Sequence, residues 1–189
     1  MKCQYIEKVK SLMGPGFVPV ERPVRDDWER LESEIGFMIP AWHSEFVDAI
    51  GSGTFGDGIS FLNPAVKSLH LGLSRKSLLD FASYAAPIFE RLERKPFPCK
   101  QGLVVIALTE WRIHLFVEML ECVHEKPAVI YVDSESDYEL ELPMTTAEFI
   151  WRAYQGTLTD FSVTMNMKDA IWGTPEARFY SPTAWNKQT

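Results

Sequence analysis

The stretch LVVIALTEWRIHLFV, residues 103–117, decides the fold of this chain. Residues 103–108 form an uninterrupted apolar run of the length that a buried β-strand needs. After Thr-Glu-Trp the sequence alternates, so that Ile113, Leu115 and Val117 fall on one face of a second strand. The opposite face carries Arg112, His114 and Phe116. Two strands separated by a short turn predict an antiparallel hairpin.

Two more strand signals follow this hairpin. PAVIYVD, residues 127–133, predicts a third strand, and YELEL, residues 138–142, alternates cleanly and predicts a fourth. TTAEFIWRAYQG, residues 145–156, then predicts a helix, because a Thr stands at its start and its apolar residues recur on one helical face.

Helices are predicted before the hairpin. DDWERLESEIG, residues 26–36, places its apolar residues on one face and ends at a glycine. A second helix begins near Pro40 and ends at Gly51. LSRKSLLDFASYAAPIFERLER, residues 73–94, predicts one helix interrupted at Pro87 or two consecutive helices. The end of this segment is basic, which suits the helix dipole: Arg91, Arg94 and Lys95.

The order of these signals defines the fold class. Helices come first, strands next and a helix last, which predicts an α+β fold with a mainly antiparallel sheet flanked by N-terminal helices and a late helix. Residues 14–25 are rich in Pro and Gly, and residues 1–13 have the pattern of a loose helix. We therefore predict an N-terminal extension over residues 1–25 and a single domain over residues 26–189.

Composition narrows the classes of partner. The 189 residues carry a formal net charge of -7, which repels nucleic acid, so we expect none to bind. The three cysteines are scattered and suit reduced thiols. The sequence shows no apolar run typical of a signal peptide or a membrane span. We expect a soluble, cytoplasmic protein that is a monomer or a weak homodimer and does not bind membranes.

GSGTFGDG, residues 51–58, has the glycine spacing of a nucleotide-binding loop. Its glycines follow a predicted helix and therefore lie at the negative end of the helix dipole, which repels phosphate. No lysine strand or metal-holding Asp motif follows. We interpret this stretch as a helix cap followed by a loop that leads into ISFLNP, and we predict no cofactor.

The sequence contains no convincing catalytic or metal-binding set. The histidines, His43, His70, His114 and His124, lack zinc-ligand spacing, and we expect them at the surface or at sheet edges. No serine stands in a nucleophile elbow. Glu32 and Asp48 are a conceivable acid and base pair, but solvated or cap-bonding roles are more typical of such residues.

The most informative charge feature is DSESDYELELPMTTAE, residues 133–148, which contains no Lys or Arg. Its acids are candidates for contact with a basic partner, whose binding they would accelerate and select: Asp133, Glu135, Asp137, Glu139 and Glu141. An acidic strand face also protects a sheet edge from aggregation, and this alternative stays open.

Aromatic residues and the glycine loop supply further contact candidates. Trp111 stands at the predicted turn between the hairpin strands, and Phe55 and Asp57 lie in the glycine loop. Buried aromatic anchors provide much of the energy of protein interfaces. We expect Trp28, Trp42 and Trp151 in the core, since they fall on or beside apolar helical stripes.

The order of signals resembles the SMI1/KNR4 (SUKH) superfamily over roughly residues 26–156. In that family a first amphipathic helix with a Glu is followed by a Gly, an apolar-Pro pair, a second helix and a terminal Gly. The matching residues here are Trp28, Leu31, Glu32, Gly36, Ile39, Pro40, Phe46, Ile50 and Gly51. Residues 103–117 resemble the central strand pair of the family, and residues 127–156 resemble its late strand pair and closing helix. The helix near residues 76–94 and the tail after Gly156 depart from the family pattern.

The resemblance implies a non-enzymatic bacterial immunity protein that binds and neutralises a cognate toxin, often a nuclease, of a polymorphic or contact-dependent system. A second branch of the family implies a regulatory scaffold in cell-wall synthesis or signalling. An enzyme that uses Glu32, Asp48 or the histidines is the third possibility.

Overall fold

The computed structural model describes residues 4–13, 17–55, 59–66, 72–109, 113–119, 128–135, 137–160, 163 and 179–180. Over these residues the helices are α1 (Gln4–Leu12), α2 (Arg25–Ile35), α3 (Ala41–Ile50), α4 (Arg75–Tyr84), α5 (Ala86–Arg91) and α6 (Thr146–Gln155). The strands are β1 (Thr54–Phe55), β2 (Ile59–Phe61), β3 (Leu103–Thr109), β4 (Ile113–Glu118), β5 (Val129–Asp133), β6 (Tyr138–Leu142) and β7 (Phe179–Tyr180).

The strands form one sheet in the order β6-β5-β4-β3-β2-β1-β7, and every neighbouring pair is antiparallel. The predicted α+β class is therefore confirmed. The hairpin read from residues 103–117 is β3 and β4, with a bulge between Val105 and Ala107. The strands predicted after it are β5 and β6.

Helices cover both faces of the sheet. On one face, Phe46 of α3 packs edge-on against Phe61 of β2, with ring centroids 5.0 Å apart. On the other face, Phe81 of α4 and Phe89 of α5 pack against Phe116 of β4, at 5.9 and 5.8 Å. The first five residues of β3 and of β4 are consequently all buried, as central strands covered on both sides must be.

The helix ends follow the predicted glycines. Gly36 ends α2 with φ of 67°, and Gly51 ends α3 with φ of 69°. Gly51 also lies against the extended segment before α2, where Ser52 N–H donates to the Val20 carbonyl at 2.9 Å. A Cβ atom on Gly51 would lie 2.1 Å from that carbonyl oxygen, so only glycine fits there.

The glycine stretch contains more order than the predicted loop. β1 and β2 flank residues 56–58 and pair in register, Phe55 opposite Ile59. The loop interpretation was wrong at Thr54 and Phe55, because Phe55 buries its side chain on the same face of the sheet as Ile59 and Phe61. The helical prediction for residues 73–94 is confirmed. The segment contains two consecutive helices, α4 and α5, and Pro87 lies in the first turn of α5.

Helix α1 belongs to the same core. Val9 is fully buried, Ile6 is nearly so, and α1 packs on α6 and α3. Lys8 Nζ lies 5.5 Å from the ring centre of Trp151 on α6. The single domain over residues 26–189 stays a prediction. Helix α1 belongs to the predicted N-terminal extension, and it packs against α3 and α6 of that domain. Within the described ranges, no helix is long and apolar enough to cross a bilayer.

Candidate functional site

Strand β6 carries two of the five predicted acidic residues, Glu139 and Glu141, and forms one end of the sheet. Within the described part of the chain it pairs only with β5, and Glu139 stands opposite Val132 while Glu141 stands opposite Ile130. Because side chains alternate along a strand, both glutamates lie on the face that α4 and α5 cover. Tyr138 and Leu140 lie half-buried on the other face, against the core.

The turn between β5 and β6 places the remaining candidate acids beside the strand. Asp133 ends β5, and its carboxylate accepts a hydrogen bond from the Glu135 N–H at 3.0 Å. Asp137 occupies the left-handed region with φ of 53°, which Asp tolerates better than most residues. The structure therefore brings all five predicted acids together at one edge of the sheet: Asp133, Glu135, Asp137, Glu139 and Glu141.

Two arginines approach this acidic edge: Arg91, the last residue of α5, and Arg94, which follows the helix. Arg91 Nε donates to Asp137 Oδ1 at 2.6 Å, and its guanidinium also donates to the Ser134 carbonyl at 3.3 Å. Arg94 lies 3.4 Å from a Glu118 oxygen and 3.5 Å from a Glu139 oxygen. The arginines expected to complement a helix dipole thus also neutralise part of the acidic segment.

These contacts change how the acids present their charge. Burial raises the pKa of Glu139, an effect that Arg94 opposes and that Glu118 and Glu141 reinforce. Glu141 is exposed and, unlike Asp137 and Glu139, makes no ion pair with any described residue. The negative charge of β6 that faces solvent is consequently concentrated at Glu141.

The contact candidates in the glycine loop and the hairpin turn behave differently. Phe55 is 6% exposed and packs against Phe46 and Phe61, with ring centroids 6.2 and 6.1 Å apart. The expectation that Phe55 contacts a partner is therefore corrected: its ring is part of the core. Asp57 and Trp111 lie outside the described residues.

A buried polar network holds the start of this loop. Asn63 is fully buried, and its amide donates to Ser52 Oγ at 2.8 Å and to the Glu21 carbonyl at 2.9 Å. Its side-chain oxygen accepts from the Ala65 N–H at 2.8 Å. Sequence reasoning missed this residue, although an Asn directly before a Pro is a signal for such turn bonding. Its side-chain hydrogen bonds to described residues join the segment before α2, Ser52 and the turn after β2.

Two histidines are buried, contrary to the expected surface or edge positions. His43 of α3 is fully buried, and its Nδ1 lies 3.0 Å from Thr146 Oγ1 at the start of α6. Burial lowers the pKa of His43 to about 3. His114 is 7% exposed with its ring edge-on to Phe81, and burial lowers its pKa to about 4. His70 and His124 lie outside the described residues.

The two carboxylates considered for acid and base chemistry have structural partners. Glu32 accepts a hydrogen bond from the Ile39 N–H at 2.9 Å, and Asp48 accepts one from Trp28 Nε1 at 2.7 Å. Burial raises the pKa of Asp48, while the Trp28 bond and the charge of Arg22 oppose the rise. Among the described residues, no group of three or more His, Cys, Asp or Glu side chains is arranged to hold a metal ion.

The tryptophans expected in the core divide into two groups. Trp28 is 7% exposed, as predicted. Trp42 and Trp151 are half-buried and pack against the edge of the core. Cys99, the cysteine within the described residues, is an exposed free thiol.

Comparison of the chain with protein-family models, with curated proteins and with solved structures gives no match. The resemblance to the SUKH superfamily accordingly stays a prediction.

Proposed function

We propose that this chain is a cytoplasmic, non-enzymatic immunity protein of SUKH type, which binds and neutralises a cognate toxin domain. The supporting observation is the acidic edge formed by β6 and the turn before it. Five carboxylates gather there on one rigid sheet end, and the exposed Glu141 makes no ion pair with any described residue.

An acidic edge of this kind suits a basic partner. Toxins that act on nucleic acid present a positive groove to phosphate, and a negative surface steers towards such a groove and discriminates against acidic proteins. The edge is also fixed in position, because β6 is continuous with the buried strands of the sheet. A rigid surface loses little conformational entropy when it binds.

The first test is capture of the tagged full-length chain from its native host. An immunity protein recovers one partner at a one-to-one ratio, and the purified partner loses its toxic activity when the chain is added. Several partners in substoichiometric amounts would contradict the proposal and support a regulatory scaffold.

The second test examines the acidic edge with matched charge reversals. Glu141→Lys is the test variant, and Glu34→Lys is the control, since Glu34 is also exposed and makes no ion pair with any described residue. Glu34 lies on α2, which contacts the loop after β2 through Arg30 and therefore sits away from β6. Reversal at Glu141 should weaken partner binding by roughly thirtyfold at low salt, since a charge pair near 4 Å contributes about 1 kcal/mol in water and reversal turns that attraction into a repulsion of similar size, a change of about 2 kcal/mol.

Salt provides an independent check on the same surface. Between about 0.1 M and about 1 M salt the screening length falls from roughly 10 Å to roughly 3 Å, so affinity should fall with it. If affinity is insensitive both to salt and to Glu141→Lys, the acidic edge is not the binding surface.

A further inference from the structure

The backbone of β6 offers a binding element beyond its acidic side chains. Within the described part of the chain, β6 pairs with β5 on one side, and the one backbone hydrogen bond that a described residue outside β5 makes to it runs from the Met144 N–H to the Leu142 carbonyl, at 2.7 Å. Alternate residues of an edge strand direct their N–H and C=O groups away from the sheet. The residues of β6 before Leu142 therefore present, at alternate positions, backbone donors and acceptors at the sheet end.

We propose that β6 pairs with an extended strand of the protein partner, and that this strand alternates basic with apolar residues. Strand addition supplies affinity through main-chain hydrogen bonds and specificity through alternate side chains. An added strand continues both faces of the sheet, so its residues on one face meet Glu139 and Glu141 and call for Lys or Arg. Its residues on the other face meet the half-buried Tyr138 and Leu140 and call for apolar side chains.

The charges of β6 select a basic strand over a second copy of this chain. A two-fold antiparallel pairing of two β6 strands keeps the faces of both sheets continuous. It therefore places glutamates opposite glutamates, and like charges directly opposite each other destabilise a strand pair. A basic strand replaces this repulsion with attraction.

Among the acids of β6, Glu141 contributes most to recognition. Glu139 already faces Arg94 from the α5 end, and Asp137, in the preceding turn, is paired with Arg91. Glu141 is exposed and meets no such cation in the described part of the chain. A basic residue of the added strand opposite Glu141 therefore forms a new ion pair without displacing an existing one.

The test uses the full-length chain labelled for NMR and a short capped peptide in which Lys and Val alternate. One control peptide contains the same residues in two blocks, and a second carries N-methyl groups on every other residue. The alternating peptide should slow hydrogen exchange at alternate amides of β6, the block peptide should bind at least about fivefold more weakly, and the N-methylated peptide should give no protection.

Two variants check the role of Glu141 in the same experiment. Glu141→Lys should lower the affinity of the chain for the alternating peptide by about three- to tenfold, and Glu34→Lys should leave this affinity unchanged. Equal binding of the block peptide, unchanged exchange of the β6 amides, or self-association of the chain through β6 would each overturn strand addition.

The inference rests on the proposed function in one respect, which is that the partner is a toxin. Different results would refute strand addition and the immunity function. If a captured toxin is neutralised but the β6 amides exchange as before in that complex, strand addition is wrong and the immunity function stands. If the alternating peptide pairs with β6 but capture yields only substoichiometric partners, the immunity function is wrong and the strand-binding edge stands.

Discussion

Mild acid should destabilise this protein through its two buried histidines. The pKa of His43 is lowered from 6.5 to about 3 in the folded chain, because the ring is removed from water. As pH falls below 6.5 the unfolded chain takes up a proton at this site and the folded chain does not. The free energy of unfolding therefore decreases as the pH falls, and it continues to decrease until the folded pKa near 3 is reached.

The size of the effect follows from the two pKa values. At pH 5 protonation favours the unfolded state by a factor of roughly 30 at this site, or about 2 kcal/mol. The pKa of His114, lowered to about 4, gives a similar contribution at pH 5. Together the two sites remove about 4 kcal/mol, a large part of the 5–15 kcal/mol or so that is typical of a domain.

The substitution His43→Gln isolates one site. Glutamine retains a polar group near Thr146 and does not titrate. Any stability lost through the substitution itself is therefore the same at both pH values, and only the titration of His43 makes the stability difference depend on pH. The wild-type protein and His43→Gln are denatured with urea at pH 7 and at pH 5. The difference between their free energies of unfolding should be about 2 kcal/mol smaller at pH 5 than at pH 7.

The control is Thr146→Val, which removes the hydroxyl partner and leaves His43 buried and neutral. Its gap to the wild-type protein should stay constant between the two pH values. A gap for His43→Gln that stays within about 0.5 kcal/mol of its pH 7 value would refute the burial argument for this residue.

Three further substitutions test the packing that positions the sheet, each by chemical denaturation at pH 7. Gly51→Ala should destabilise the protein by at least about 2 kcal/mol, since its Cβ would lie 2.1 Å from the Val20 carbonyl oxygen at a positive φ. Asn63→Ala should cost about 2 kcal/mol, because it removes a fully buried amide with three hydrogen bonds. Val9→Ala should cost about 2 kcal/mol if α1 belongs to the core, whereas Glu7→Ala on its exposed side should stay within about 0.5 kcal/mol. If Gly51→Ala, Asn63→Ala or Val9→Ala is as stable as the wild-type protein, the contact assigned to that residue is wrong.

Local patterns predicted the elements that depend on local physics. The glycines at positions 36 and 51 end their helices as expected, because a left-handed or strained backbone suits glycine. The continuous apolar run of β3 and the alternation in β6 also predicted strands at these positions, and the alternation places Glu139 and Glu141 on one face. These features need only neighbouring residues for their interpretation.

The features that sequence missed depend on contacts between distant segments. Arg91 and Asp137 are 46 residues apart, so the pairing of α5 with the acidic edge is invisible to periodicity. His43 and His114 looked like surface residues, because nothing near them in sequence shows that helices cover both faces of the sheet. The hairpin of β1 and β2 was missed because its strands are shorter than a periodic pattern can reveal.

The most direct test of a partner-binding acidic edge is a growth assay. The toxic domain of the captured stoichiometric partner is expressed alone, with this chain, with the Glu141→Lys variant and with the Glu34→Lys variant. Full rescue by the wild-type chain and by Glu34→Lys, with reduced rescue by a folded Glu141→Lys variant, is the expected result. Cell death that the wild-type chain does not prevent, or equal rescue by all three forms, would contradict the account.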